Sequence, residues 1–236
     1  IKFSKCNYWK IITKVNPDRF KSCKNKDQIK NNLIKLINKS AKNIGVKKIE
    51  TLLLQNVSRL FEKNGNRIYE ALKELKKLGY IKNIGYSIYN FEKLRELTKK
   101  FKPDILQCPY NIVDRRLDDK KIINLLKKNK IKVHARSIFL QGLLLVKFDN
   151  LPQKFIKWEK IFQQWDNWIS KKNYSRLEAC INFSFFNNSI DKVVFGIEDL
   201  NQLKQIINIK LKKKIIIPDY LKSNDKRLIN PSNWNK

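Results

Sequence analysis

Leu78-Gly79-Tyr80-Ile81-Lys82-Asn83-Ile84-Gly85-Tyr86-Ser87 passes from the end of an apolar-periodic segment, through a glycine turn, into a short apolar run that closes on a hydroxyl. Two later stretches have the same build. Gln107-Cys108-Pro109-Tyr110-Asn111 follows the apolar Asp104 to Gln107 run, and Arg136-Ser137-Ile138-Phe139-Leu140-Gln141-Gly142-Leu143-Leu144 follows Ile131 to Ala135. Each run ends in small or polar residues. That is how the strands of an α/β barrel hand over to the ligand-facing loops gathered at their C-terminal ends.

Working outward, the same alternation runs along most of the chain. Lys10 to Val15 is a β-branched strand stopped by Pro17. Asp27 to Asn43 has apolar residues at Ile29, Leu33, Leu36 or Ile37 and Ala41, the spacing of an amphipathic helix. Ile49 to Leu54 is a second strand. Gly65 to Leu78 is a second helix, with Ile68, Ala71, Leu72, Leu75 and Leu78 on one face and Gly79 closing it. The strand Ile81 to Tyr86 follows, then helix Phe91 to Lys100, strand Asp104 to Gln107, helix Lys120 to Lys128 and strand Ile131 to Ala135. Helices around Leu151 to Ser170 and Ser175 to Phe186, strand Lys192 to Phe195 and helix Leu200 to Ile207 complete the series. Continuous apolar strands separated by helices predict a parallel sheet covered by helices. Periodicity alone fits a doubly wound sheet equally well.

The 236 residues, 42% of them hydrophobic, suffice for one large core. Lys or Asn interrupts every apolar run well short of the roughly 18 to 20 residues needed to cross a bilayer, so a soluble, cytoplasmic protein without a membrane partner is expected. Cys6, Cys23, Cys108 and Cys180 lack paired metal-ligand spacing and are expected as free thiols; the single histidine, His134, has no ligand-like neighbour, and no metal is expected. A net charge of +31 raises the question of nucleic acid. The excess is mostly Lys and is spread through every predicted helix, whereas nucleic-acid readers concentrate Arg and exposed aromatics on one face. No specific nucleic-acid partner is therefore expected. Trp158, Trp165 and Trp168 are spaced by seven and three, which places them on one packing face of a helix.

The quoted motifs resemble those of the aldo-keto reductases. The likeness rests on Leu78 to Ser87, on Gln107-x-x-Tyr110-Asn111 and on Arg136-Ser137-x-Phe139-x-Gln141-Gly142-Leu143-Leu144, and it extends over roughly Tyr8 to Ile207. The bacterial branch with the last motif is often associated with sugar and nucleotide-sugar chemistry. The resemblance implies a (β/α)8 TIM barrel whose third to eighth strands lie in this chain, with the first two expected upstream of Ile1. It also implies one barrel domain over residues 1–209 and a C-terminal tail over residues 210–236, the tail having no clear period and expected to wrap the surface or to be partly loose. A barrel lacking two strands would leave unpaired edges and be poorly stable.

By the same resemblance the protein is expected to be an NAD(P)-dependent oxidoreductase that reduces a carbonyl of a sugar-like or other polar small molecule. Ile12-Thr13-Lys14 is similar to the family's Thr-Lys pair, in which the lysine lowers the pKa of a proton-donating tyrosine; a buried ammonium beside a phenol has that effect. The family's Asp-Thr-Ala-x-x-Tyr-Gly pattern does not occur here, and Tyr8 is no substitute on spacing. Leu52-Leu53-Leu54-Gln55-Asn56 resembles Leu-Leu-Leu-His-Asn, with Gln55 able to donate from its amide but unable to titrate. Ser87 and Gln107 match residues that hold the nicotinamide carboxamide, while Ile88 stands where an asparagine is usual. Arg136 occupies the position of a stacking aromatic, and Ser137, Leu140, Gln141 and Gly142 match the loop along the pyrophosphate. Gly196 and Gln202 fall in the segment that closes over the adenosine phosphate. There, Glu198 would repel a 2′-phosphate, which points to NAD or to no strong preference, so that NADP or NAD is expected as the cofactor. The departures motivate an alternative: a non-catalytic barrel that binds a dinucleotide or a partner protein.

Overall fold

Six short strands and the helices between them follow one another in the computed structural model, which describes residues 9–211 and 215–234. The strands are β1 (Ile12–Val15), β2 (Thr51–Leu54), β3 (Asn83–Ser87), β4 (Ile105–Pro109), β5 (Lys132–Arg136) and β6 (Lys192–Val193). They form one sheet in sequence order, and the registers of β1 through β4 and of β5 with β6 are parallel. The helices are α1 (Lys26–Ile44), α2 (Gly65–Lys77), α3 (Leu94–Lys100), α4 (Lys120–Lys128), α5 (Glu159–Lys172), α6 (Arg176–Phe185), α7 (Leu200–Ile207) and α8 (Lys226–Ile229). Parallel strands in consecutive order with a helical crossover between neighbours are the repeat of a β/α barrel rather than of a doubly wound sheet, whose strand order reverses at a switch point.

Two units divide the chain, one running to Gln107 and including Lys127–Lys132, the other comprising Cys108–Leu126 and the chain from Val133 onward. In the first unit the core is aliphatic. Ile29, Leu33 and Ile37 of α1 and Ile68, Ala71, Leu72 and Leu75 of α2 are buried, as are Leu52, Leu53 and Leu54 of β2. Helix α1 starts where the Asn25 side chain accepts from the Gln28 N–H and stops at Gly45, whose left-handed φ of 77° lets its N–H reach the Ala41 and Lys42 carbonyls. Gly85 serves packing: a Cβ there would lie 2.3 Å from Leu53 Cδ2 and 3.0 Å from the Ile105 carbonyl oxygen. The glycine thus lets the side chains of the flanking strands meet across β3.

The second unit has less regular secondary structure and an aromatic core. Trp165 and Trp168 are buried and stack at 5.5 Å, and Tyr174 stacks on Trp168 at 6.0 Å. The Trp165 indole N–H donates to the Leu144 carbonyl. Trp165 and Trp168 therefore share a packing face of one helix, as their spacing predicts, whereas Trp158 lies ahead of that helix and is partly buried against the same core. Residues 153–158, expected inside one long helix, instead form a 3-10 segment ahead of α5, whose residues Phe162, Trp165, Trp168 and Ile169 are buried. Strand β6 is only two residues long. The segment expected to wrap the surface supplies Ile215, Ile217, Leu221, Leu228 and Ile229 to this core. It escapes a periodicity reading because it is built from single anchors and a four-residue helix.

Candidate functional site

In the first unit the register sets out a row of polar residues at the C-terminal ends of the strands. Ser87 pairs with Gln107 across β3 and β4. Gln55 follows Leu54, the partner of Tyr86, and so continues the same row. Because side chains alternate along a strand, these three project on the face that carries Leu53, Gly85 and Ile105 one layer below. Gln107 is 3% exposed, Ser87 is half-buried and Gln55 is exposed. The backbone is committed: the Gln107 carbonyl accepts from the Ile88 N–H, and the Gln55 N–H donates to the Val15 carbonyl.

Gln107 Oε1 is buried and has no hydrogen-bond partner among the described residues. Such an orphan acceptor costs about 1–3 kcal/mol and calls for an explanation. A primary amide seated beside Ser87 and Gln107 would satisfy it, since its N–H donates to Oε1. The donor and acceptor set thus fits a nicotinamide carboxamide. Ile88 is buried and apolar, so one side-chain bond is absent from this set.

Lys14 lies on β1 in register with Leu53, one layer below the polar row, and its side chain is exposed. Tyr8 and Cys6 lie outside the described residues. Cys23, Cys108 and Cys180 are free and buried, and burial pushes the Cys108 thiol up to about 12. Among the described residues no cluster of metal ligands occurs.

The second unit holds the remaining candidates. Arg136, 9% exposed, ends β5 and donates through Nη1 to the Ser137 hydroxyl at 3.1 Å. Ser137, Leu140, Gln141 and Gly142 all have positive φ, at 58°, 47°, 56° and 86°. Non-glycine residues in the left-handed region each store about 1–2 kcal/mol. The Leu140 side chain is fully buried in the aromatic core, so only its backbone is available to a ligand. Gln141 is exposed, and neither its N–H nor that of Gly142 finds an acceptor among the described residues. Successive N–H groups in such a bend form a concavity suited to an anion.

Asn111 holds this loop in place, a role the sequence reading did not assign. Buried at 0% exposure, it donates from Nδ2 to the Ser137 carbonyl and accepts through Oδ1 from the Val113 and Asp114 N–H groups. Its place in the Gln-x-x-Tyr-Asn motif was the available signal. Tyr110 donates to Asp118 at 3.2 Å and accepts from Asn187 Nδ2 at 2.8 Å, so it too is a structural joint. Burial raises the pKa of its phenol, which makes it a poor proton donor. Arg115 is buried against the carbonyls of Ile112, Ile217 and Pro218, with its guanidinium 5.3 Å from the Phe183 ring. It ties down the C-terminal segment.

Gly196 sits in open space, and Gln202 is already engaged. Its Oε1 accepts from the Glu198 N–H, while its own N–H donates to Asp199, the N-cap of α7. The start of α7 therefore carries two carboxylates, Glu198 and Asp199, against any phosphate.

A parallel sheet in consecutive strand order with its polar residues at the strand ends defines a β/α-barrel type of protein. The Aldo/keto reductase family profile matches residues 7–215, and the chain belongs to that family. Its fold is similar to that of the aldo-keto reductase AKR11C1 from Bacillus halodurans. Against the holo form the TM-score is 0.65 at 17% identity, covering 88% of this chain and 68% of that one. The apo form gives 0.63, also at 17% identity, covering 89% and 68%. No curated protein sequence matches.

Proposed function

We propose that the protein is an NAD(P)-dependent oxidoreductase that reduces a carbonyl of a polar small molecule. The observation that carries this reading is the orphan Gln107 Oε1, buried and in register with Ser87 at the strand ends of a family member. When bound, the cofactor would supply a hydride to the carbonyl carbon, and the oxygen would take its proton from water. Gln107 accepts from the carboxamide N–H and Ser87 donates to its oxygen. Gln55, exposed in the same row, donates its amide N–H to the substrate carbonyl oxygen and so orients and polarises that bond. Taken by itself, the second unit offers the Gln141 and Gly142 N–H groups and the Arg136 cation to an anion, and the two carboxylates at the start of α7 disfavour a phosphate there. Association with sugar-like substrates rests on the likeness of the Arg136 to Leu144 motif alone.

Titration with NADH and NADPH, followed by nicotinamide fluorescence, tests the reading. Binding that weakens by about tenfold in Gln107→Met, the loss of roughly one good hydrogen-bonded pair, is the expected result. Absence of binding by the folded protein would overturn it. A second reading, a barrel that binds a dinucleotide or a partner protein without turning over a substrate, is favoured by Gln55, a side chain that cannot titrate, at the strand end. Binding of NADH together with an unchanged absorbance across a panel of aldoses and polar aldehydes would select it.

A further inference from the structure

We infer that the strand-start edge of the first unit is a binding face for the backbone of single-stranded nucleic acid, read without sequence preference. Four helix ends, with the turns that lead from them into strands, lie there at residues 42–50, 76–83, 99–104 and 127–132, and seven of their lysines belong to the helix ends. Backbone bonds tie neighbouring turns side by side: the Lys82 N–H donates to the Glu50 carbonyl, the Asp104 N–H to the Ile84 carbonyl, and the Lys132 N–H to the Asp104 carbonyl. Together the four turns carry thirteen lysines and only two acids, Glu50 and Asp104. Asp104 is already engaged by Lys76 at 2.7 Å.

The opposite end of the same unit differs. Its strand-to-helix connections, residues 16–26, 55–65 and 88–94, have the same total length but hold seven cations and three acids. Ion pairs knit that end together, Asp18 with Lys21 at 3.2 Å and Glu62 with Arg59 at 2.7 Å. A uniformly lysine-rich composition would load both ends alike. Favourable interaction with helix dipoles accounts for one or two cations in each last turn, such as Lys76 and Lys77 or Lys127 and Lys128. It does not account for Lys47, Lys48, Lys82 or Lys102, nor for Lys130 and Lys132, all of which are exposed beyond the helix ends.

The shape of the face selects the partner. Neighbouring strands in a sheet lie about 4.8 Å apart and the covering helices about 10 Å apart, so the lysines are spread over a distance that tracks several phosphates of one strand. No helix or two-stranded ribbon projects from these turns to enter a duplex groove. Tyr80, 37% exposed, and Leu78, 57% exposed, stand among the lysines and give a base a surface on which to stack. An anionic membrane would be met instead by an amphipathic helix with an apolar stripe, which these turns lack.

The test is fluorescence anisotropy with a labelled oligouridylate of about 20 nucleotides, in salt from about 50 to about 200 mM. One variant combines Lys47→Gln, Lys48→Gln, Lys102→Gln and Lys130→Gln. A second removes the same number of exposed charges elsewhere, through Lys24→Gln, Lys63→Gln, Lys171→Gln and Lys172→Gln. All eight positions are exposed, and circular dichroism checks that both variants remain folded. The expected result is an affinity loss of about tenfold or more in the first variant and less than about threefold in the second. In the first, the slope of log K against log salt should also become shallower by about 3, the release expected for four single-strand contacts. Tyr80→Ala should cost about fivefold without changing the slope. Equal losses in the two lysine variants would overturn the proposal, since net charge alone would then explain binding. So would tight binding to phosphatidylserine vesicles with none to the oligonucleotide.

Discussion

The two units reach a folded core by different means. The first repeats one module: a short strand, a turn, and an amphipathic helix whose apolar stripe returns to the sheet. Its core residues are aliphatic and come in runs, such as Leu52-Leu53-Leu54 or the Ile68 to Leu75 face of α2. The second unit uses few repeats. Its core is assembled from tryptophans on α5, from Phe155 in a 3-10 segment, and from isolated anchors such as Leu221 and Leu228. Burying a few large rings replaces the burial of many small ones, because an aromatic side chain covers about 150–250 Å² alone. The difference teaches where single substitutions should hurt: each anchor of the second unit carries more.

The largest effect should come from Trp165→Ala. It empties a site 1% exposed, breaks the stack on Trp168 and leaves the Leu144 carbonyl without its indole donor. A loss of about 3–5 kcal/mol is expected in urea unfolding, together with loss of the near-ultraviolet circular dichroism of the stacked rings. A loss below about 1 kcal/mol would end the view that the second unit depends on a few rings. In the first unit the comparable weak point is a residue too small rather than too large. Gly85→Ala places a methyl 2.3 Å from Leu53 Cδ2, and about 1–3 kcal/mol of overpacking is expected from thermal melts.

The same contrast explains what the sequence discloses. The aliphatic repeats of the first unit announce β1 to β4 and α1 to α3 by period, with boundaries off by one to three residues, as at Ile81, two positions before β3 begins. Phe91 begins its predicted helix three residues early for a similar reason: the apolar pattern runs on where the backbone is still turning. In the second unit, a 3-10 segment and a four-residue helix are too short to leave a period, so residues 153–158 were absorbed into a longer expected helix and residues 215–229 showed no period at all. Candidate site residues were chosen by motif, and the motif also marks the ends of the strands. Burial was not legible. Lys14 is exposed, and alternation along a strand could not foretell that, since it says which face a residue takes but not whether anything covers it.

Two buried polar atoms of the first unit separate ligand from structure. Gln107 Oε1 and the Tyr86 hydroxyl both lack hydrogen-bond partners among the described residues. Tyr86 alternates with the polar row and so takes the opposite face of β3 from Ser87. Gln107→Met removes an unsatisfied acceptor at similar volume, so stability should rise by about 1 kcal/mol while affinity for NADH falls. Tyr86→Phe should raise stability by a similar or smaller amount and leave NADH binding unchanged in fluorescence titration. If both substitutions left binding unchanged, Gln107 would be a structural orphan like Tyr86.

The smallest effect sharpens the contrast in how the units use charge. Glu74 on α2 accepts from Lys26 and Lys30 of α1, at 2.8 and 2.6 Å, and these partners hold its carboxyl down at about 2 from a usual 4.5. A carboxyl with a depressed folded-state pKa contributes stability that is fully present above its unfolded value and is lost as pH falls through the folded one. The melting temperature of the wild type should therefore exceed that of Glu74→Gln by a small, constant margin above about pH 5. That margin should narrow as pH falls from about 4.5 and close near pH 2. Because the pair lies at the surface, added salt should shrink it as well. A margin that persists unchanged at pH 2 would mean that Glu74 joins α1 to α2 through its packing rather than its charge.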